Sequence, residues 1–229
     1  MAVRPDTESF TVTTITYLPG AIGGKANGSH GDGALSWSDP TGAESDTYTY
    51  DPANPVPSLG GANCCGVGTT SGARDQRPIE HRGDILIFTS EILEEPVEVV
   101  GPVKLKLFAS SDAVDTDFVA KLVDVYPDGR SVNVCEGILR ARYRNSLSKP
   151  EPLEPGKAYE MEIDMIGTAN HFGKGHRIRV HVTSSHFPQF SRNLNTGKPF
   201  GTSTEMKKAV QTVYHTVARP SHVLLPVVE

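Results

Sequence analysis

The sequence predicts an all-β fold: a jelly-roll β-sandwich of two sheets with one short helix. Three observations carry this. Several short runs alternate apolar and polar residues with a period of two, as half-buried antiparallel strands do. Gly numbers 22 and Pro 17, scattered between those runs as turn punctuation. No alternation of strands with helices, the pattern of a parallel sheet, is present.

The elements follow in order. Residues 1–45 are rich in Gly, Ser and Thr, and "GGKANGSHGDGALS" has little periodicity. They are expected to form an extended N-terminal arm or loop crossing the surface. Residues 46–229 hold the sandwich. Its strand candidates begin with 46–50 (DTYTY), 84–89 (DILIFT) and 96–100 (PVEVV). In "VKLKLFA", Val103, Leu105 and Leu107 oppose Lys104 and Lys106. Strands are expected at 117–126 and 131–143, joined through an Asp128-Gly129 turn. After a Pro155-Gly156 turn, "AYEMEIDMI" sets Tyr159, Met161, Ile163 and Met165 against Glu160, Glu162 and Asp164. "HRIRVHV" sets Ile178, Val180 and Val182 inside, with Arg177, Arg179 and His181 outside. Residues 202–210 (TSTEMKKAV) read as the short helix, with Ser or Thr as its cap. Strands at 211–218 and 221–228 close the chain.

Composition narrows the function. The 229 residues carry 22 Lys plus Arg against 27 Asp plus Glu, a net charge of -5. Neither nucleic acid nor an anionic membrane is an expected partner. No apolar run approaches the roughly 20 residues of a membrane helix. "MAVRPDTESF" lacks the basic-then-apolar plan of a signal peptide, so a cytoplasmic location is expected. Cys64 and Cys65 are adjacent and Cys135 is alone, which suits neither a disulfide framework nor a structural zinc site. No cofactor and no metal are expected.

No catalytic set is readable. The nearest strings to a G-x-S-x-G elbow are "GTSTE" and "TTSGA", and neither completes it. Ser203 reads as a helix cap and Ser71 as a loop hydroxyl. No His-Glu-x-x-His motif occurs. Asp112, Asp115, Asp117 and Asp124 lack the spacing of a calcium loop and read as corners of the fold, with Ser-Ser-Asp as a turn. Arg140, Arg142 and Arg144 read as an acid-paired or solvated face.

The stretch "DTDFVAKLVDVYPDGRSVNVCEGILRARYR" resembles the C-terminal domain of the cocaine esterase (CocE/NonD) / X-prolyl dipeptidyl peptidase family of serine hydrolases. "TYTYDPANPVPSLGG", "DQRPIEHRGDILIFTSEILEEPVEVVGPV", "GHRIRVHVTSSHFPQFSRNLNTG" and "SHVLLPV" resemble it in the same order. The resemblance runs from about residue 24 to the end, and "MAVRPDTESFTVTTITYLPGAI" departs from it. It implies a sandwich like galactose-binding domains, beside an α/β-hydrolase domain with a Ser-Asp-His triad and a helical cap. Those two domains are the implied partners, and every triad residue would lie in them, so the chain alone is expected to be inactive.

The resemblance also implies site residues. The loop after "PSLGG" reaches toward the acyl pocket in similar enzymes, which makes Asn63, Cys64 and Cys65 the candidates for a substrate-pocket wall. In "SSHFPQFSRNLNTG", His186, Phe187, Phe190 and Arg192 are the candidates for docking to the hydrolase domain, with Arg192 also tied internally. The alternatives are a carbohydrate- or ligand-binding module, for which Trp37 is the one tryptophan, and a self-association module forming a homo-oligomer.

Overall fold

The computed structural model describes residues 15–21, 26–28, 33–41, 45–62 and 70–228. Its strands are β1 (Ile15–Ala21), β2 (Gly33–Ser36), β3 (Ser45–Tyr50), β4 (Leu86–Thr89), β5 (Val97–Ser111) and β6 (Asp117–Val125). They continue with β7 (Ser131–Arg140), β8 (Tyr159–Phe172), β9 (Arg177–Thr183), β10 (Ala209–Thr216), β11 (Arg219–Pro220) and β12 (His222–Leu224). The hydrogen-bonded path runs β11-β10-β5-β12-β1-β2-β4-β9-β6-β7, with β3 added to β10 and β8 to β5.

That path folds back on itself into two layers. One holds β3, β5, β8, β10 and β12; the other holds β4, β9, β6 and β7. Between them lies one core, with Val103, Leu105, Leu107, Met161 and Ile163 from the first layer and Phe88, Phe118, Leu122, Val180 and Val182 from the second. The period-two alternation is realised in β5 and β8, where Lys104 and Lys106 on the outer face pair with Glu162 and Glu160. The two runs at 96–100 and 103–109 are one strand, continuous through Gly101-Pro102 and paired with β8 along its length.

Three expectations are corrected. Residues 202–210 form no helix. Thr202 turns back on the Pro199 carbonyl, the Ser203 hydroxyl accepts the Glu205 N–H, and Ala209 and Val210 pair with Tyr50 and Thr49 of β3. The Ser and Thr side chains satisfy local backbone as turns do, and the β3 ladder takes the rest. The helix lies instead at α1 (Arg77–Glu80), a single turn too short to show a 3.6-residue period.

The N-terminal segment is more than an arm. β1 pairs with β12 and β2, β2 pairs with β1 and β4, and Ala26 and Leu35 enter the core. Backbone pairing needs no side-chain alternation. At Gly33 it forbids a side chain, because a Cβ there would sit 2.0 Å from the Ile87 carbonyl oxygen.

The third correction concerns β9 and its neighbour β6. His181, expected outside, is buried, and all nine residues of β6 are buried. The outer face of this layer is covered by chain from the 51–80 region, where Val56, Leu59 and Ile79 pack with Ile85 and Ile87 in a second apolar cluster.

Sidedness in β5 can be read from stability. Leu105→Ala empties a fully buried site between the layers and is expected to cost about 3 kcal/mol. Lys104→Ala breaks only a surface ion pair and is expected to leave the urea midpoint nearly unchanged. Urea denaturation of the two variants checks the difference.

Candidate functional site: a clamped loop and an aromatic face

The candidate cleft loop leaves the sandwich through a narrow neck. Gly61 and Gly72 exchange two backbone hydrogen bonds, each 2.9 Å. The Gly60 N–H donates to Thr70 Oγ1 at 2.9 Å. Gly61 sits at φ +102°, and a Cβ there would fall 1.9 Å from Glu136 Oε1, so conformation and space both require glycine. Asn63, Cys64 and Cys65 lie outside the described residues. Beside the neck is a hollow of about 250 Å³ lined by Ala62, Ala73, Cys135, Glu136 and Ile166. Burial pushes the Cys135 thiol up to about 12, which keeps it protonated and unreactive.

Beneath the neck lies a polar layer on the outer face of β6, β7 and β9. Lys121 stands opposite Glu136 on β7 and His181 on β9. Its ammonium donates to Gln76 Oε1 at 3.0 Å. Burial lowers its pKa to about 8, against the opposing pull of Glu136 and Glu80. Glu80, from α1, accepts from Ser131 Oγ, from Arg179 Nη1 at 2.8 Å and from His181 Nε2 at 3.0 Å. Burial alone would raise the Glu80 pKa; His181, Arg179 and Ser131 together bring it to about 2. Burial lowers the pKa of His181, against the opposing pull of Glu80.

The second candidate region is the 184–197 loop. His186, expected at a docking surface, points inward and is 1% exposed. Its Nε2 lies 2.8 Å from Gln189 Oε1, and burial drives its pKa down to about 3. Phe187 is exposed, while its backbone pairs with the 56–58 segment through Val56 and Ser58. Phe190 is half-buried, with its ring 6.1 Å from that of His186. Arg192 is tied internally as expected: it donates to the Pro52 carbonyl at 2.9 Å and lies over the Phe187 ring at 5.3 Å. A hollow of about 250 Å³ opens there, lined by Phe187, Arg192, Leu194, Phe200, Arg140 and Arg142. Phe200 is 71% exposed at its rim. Sequence reasoning passed over Phe200 because it lies between Pro199 and Gly201 in a run without periodicity.

Asp112 and Asp115 act as corners, whereas Asp117 and Asp124, also expected there, lie within β6. Asp112 accepts the Val210 N–H at 2.9 Å. Asp117 takes Arg140 in a two-point pair at 2.9 and 3.1 Å. Asp115 accepts from Asn193 Nδ2 at 2.8 Å and from the Arg142 N–H at 3.2 Å. The Arg142 Nε lies 3.0 Å from Asp115 as an ion pair, but off the hydrogen-bonding angle. Asp124 holds His176 at 2.8 Å. Arg144 lies 3.6 Å from Glu151 and over the Tyr159 ring at 4.3 Å. The arginines are therefore acid-paired, although only Arg140 belongs to a strand; Arg142 lies in the 3-10 turn Ala141–Tyr143 and Arg144 caps it.

Among the described residues, no group of three or more His, Cys, Asp or Glu converges as a metal site. The imidazoles of His176, His181 and His215 bond to Asp124, Glu80 and Asp46, and no serine hydroxyl bonds to any of these rings. Ser131 and His181 both donate to Glu80, so the serine faces the acid and not a base. Trp37 is 45% exposed and borders a separate hollow with Ile92, Leu93, Glu91 and Glu94.

The described residues define a two-layered β-sandwich with buried histidine–acid pairs. Residues 5–224 match the X-Pro dipeptidyl-peptidase C-terminal non-catalytic domain family, and the chain belongs to that family. The match includes most of the first 22 residues, which overturns the expectation that they depart from it. The chain is 47% identical over 228 residues to a cocaine esterase of Rhodococcus sp. (strain MB1 Bresler), covering 98% of this chain and 40% of that protein. Among solved structures, an α-amino acid ester hydrolase aligns with TM-score 0.80 and 32% identity over 94% of this chain and 36% of that one. An aminopeptidase from a marine sediment archaeon, Thaumarchaeota archaeon, aligns with TM-score 0.80 and 30% identity over 94% of this chain and 37% of that one. The chain thus spans well under half the length of these relatives. It is a C-terminal non-catalytic β-sandwich domain of the CocE/NonD and X-Pro peptidase hydrolases.

The buried histidine gives a pH test. The His186 pKa falls from 6.5 to about 3 on folding, so the unfolded chain binds more protons between those values. Stability therefore drops as pH falls from 6.5 toward 3. His186→Gln is expected to make that drop shallower, read from urea midpoints of both proteins across the range.

Proposed function

We propose that this chain is the C-terminal domain of an α/β-hydrolase-type serine esterase or X-Pro peptidase, in which it walls the active-site cleft and stabilises the catalytic portion. The loop necked at Gly61 and Gly72 is the wall, with Asn63, Cys64 and Cys65 nearest the substrate. Phe187, Phe200 and Arg192 form the docking face. Phe190 backs that face from a half-buried position, and His186 holds it from behind.

The single observation that carries this reading is the neck itself. Gly61, Gly72 and the buried Glu136 carboxylate fix the chain on either side of residues 63–69. Exposed Phe187 and Phe200 beside one hollow support the docking part, because large apolar side chains grouped at a surface mark contact sites. Two relatives, a cocaine esterase and an α-amino acid ester hydrolase, favour ester substrates for the parent enzyme.

The test has two arms. The chain alone is expected to give no burst from p-nitrophenyl esters and no labelling by a fluorophosphonate. Stoichiometric labelling of any serine would overturn the non-catalytic part. In a chimera, this chain replaces the matching C-terminal part of the cocaine esterase and is expected to sustain its esterase activity. Cys65→Trp in that chimera is expected to raise KM for bulky acyl esters about tenfold, the effect of a lost pocket contact. An unchanged KM removes the cleft-wall role.

A further inference from the structure

We infer that Gln76, oriented by Lys121, and Glu136 are positioning residues that set where the cleft loop stands. The inference rests on the proposal that this loop walls the cleft, and it concerns only the loop's anchors.

Gln76 is fully buried and joins the two legs of the loop. Its Nε2 donates to the Leu59 carbonyl at 2.9 Å on the incoming leg and to the Arg74 carbonyl at 3.0 Å on the outgoing leg. An amide can do this only with its NH₂ turned toward both carbonyls. Lys121 decides that orientation, because its ammonium holds Oε1 on the opposite side. Glu136 Oε1 accepts the Ala62 N–H at 2.9 Å and Gln189 Nε2 at 3.1 Å. Asn133 completes the rack: its Oδ1 accepts the Arg74 N–H at 2.7 Å, and its own N–H donates to the Arg74 carbonyl at 3.2 Å.

The core does not require these groups. Gln76, Lys121, Asn133 and Glu136 lie on the outer face of β6 and β7, away from the apolar layer between the sheets. Apolar side chains could fill that space, but they would leave the Leu59 and Arg74 carbonyls and the Ala62 N–H without these partners. What the polar groups provide is direction: each anchor of the loop, on both legs, meets a directional bond from a rigid strand or from a side chain held by one. The loop ends therefore leave the sandwich from two fixed points.

The test variant is Gln76→Glu. It has the same shape and keeps Lys121 as a partner, now as an ion pair. It turns two donated bonds into two carboxylate–carbonyl repulsions. In the 229-residue chain, tryptic cleavage at Arg74–Asp75 and amide exchange at Gly61 and Gly72 are expected to rise about tenfold beyond what the accompanying fall in the urea midpoint accounts for. Lys121→Met, which frees the amide to turn, is expected to raise the same rates if Gln76→Glu folds poorly. Rates that stay constant, or that rise only in proportion to lost global stability, overturn the inference.

The chimera separates the inference from the reading beneath it. Gln76→Glu is expected to raise KM for bulky acyl esters more than KM for an acetyl ester. If Cys65→Trp shifts KM and Gln76→Glu does not, the positioning role falls. If neither shifts KM although the loop loosens in the isolated chain, the clamp stands and the cleft-wall reading falls.

Discussion

The constraint on which the molecule depends is that β6 is buried on both faces. One face supplies Phe118, Ala120 and Leu122 to the core between the sheets. The other carries Asp117 and Lys121 under covering chain. A buried charge with no polar partner costs several kcal/mol. Both groups have one: Asp117 is held by Arg140 and Asn193, and the Lys121 ammonium donates to the Gln76 amide oxygen. The rest of the architecture is arranged to deliver those partners.

That requirement explains the course of the 51–80 segment. It cannot wander over the surface as an ordinary loop does, because Gln76 and Glu80 have to reach Lys121, Arg179 and His181. In doing so it brings Val56, Leu59 and Ile79 onto Ile85 and Ile87, which excludes water from the charges. Apolar cover and polar pairing support each other here: water exclusion strengthens the hydrogen bonds, and the bonds fix where the cover sits. The same segment carries the Gly61–Gly72 neck, so the polar layer and the neck are held by one set of bonds.

The aromatic loop is built on the same principle at lower density. Its backbone is bonded to residues 56–58, and Arg192 and His186 tie it from both sides. Phe187 and Phe200 are left outward by this bracing, so the face they form is rigid before any partner arrives. A pre-formed apolar face loses less side-chain entropy on association than a mobile one. The two candidate regions, neck and aromatic face, are joined by the Gln189–Glu136 bond, which makes them parts of one braced surface.

Alternation in "VKLKLFA" and "AYEMEIDMI" determined the paired strands and their inner faces, because one covered face and one wet face leave a period of two in the residues themselves. Long motifs such as "DTDFVAKLVDVYPDGR" determined the family. Asp112 and Asp115 were legible as corners because the Ser-Ser-Asp run has the composition of a turn, but their partners Val210, Arg142 and Asn193 lie far along the chain. The covering of β6 and β9, the place of the helix and the strands within residues 15–36 were decided only by the tertiary structure. Lys121 and His181 look like outward residues of half-buried strands until chain some forty to a hundred residues away covers them. Glu80 and His181 meet across 101 positions. Backbone pairing of β1 and β2 leaves no mark in side-chain pattern. A local sequence reports which residues can face inward together; it carries no record of what distant chain closes over the other side.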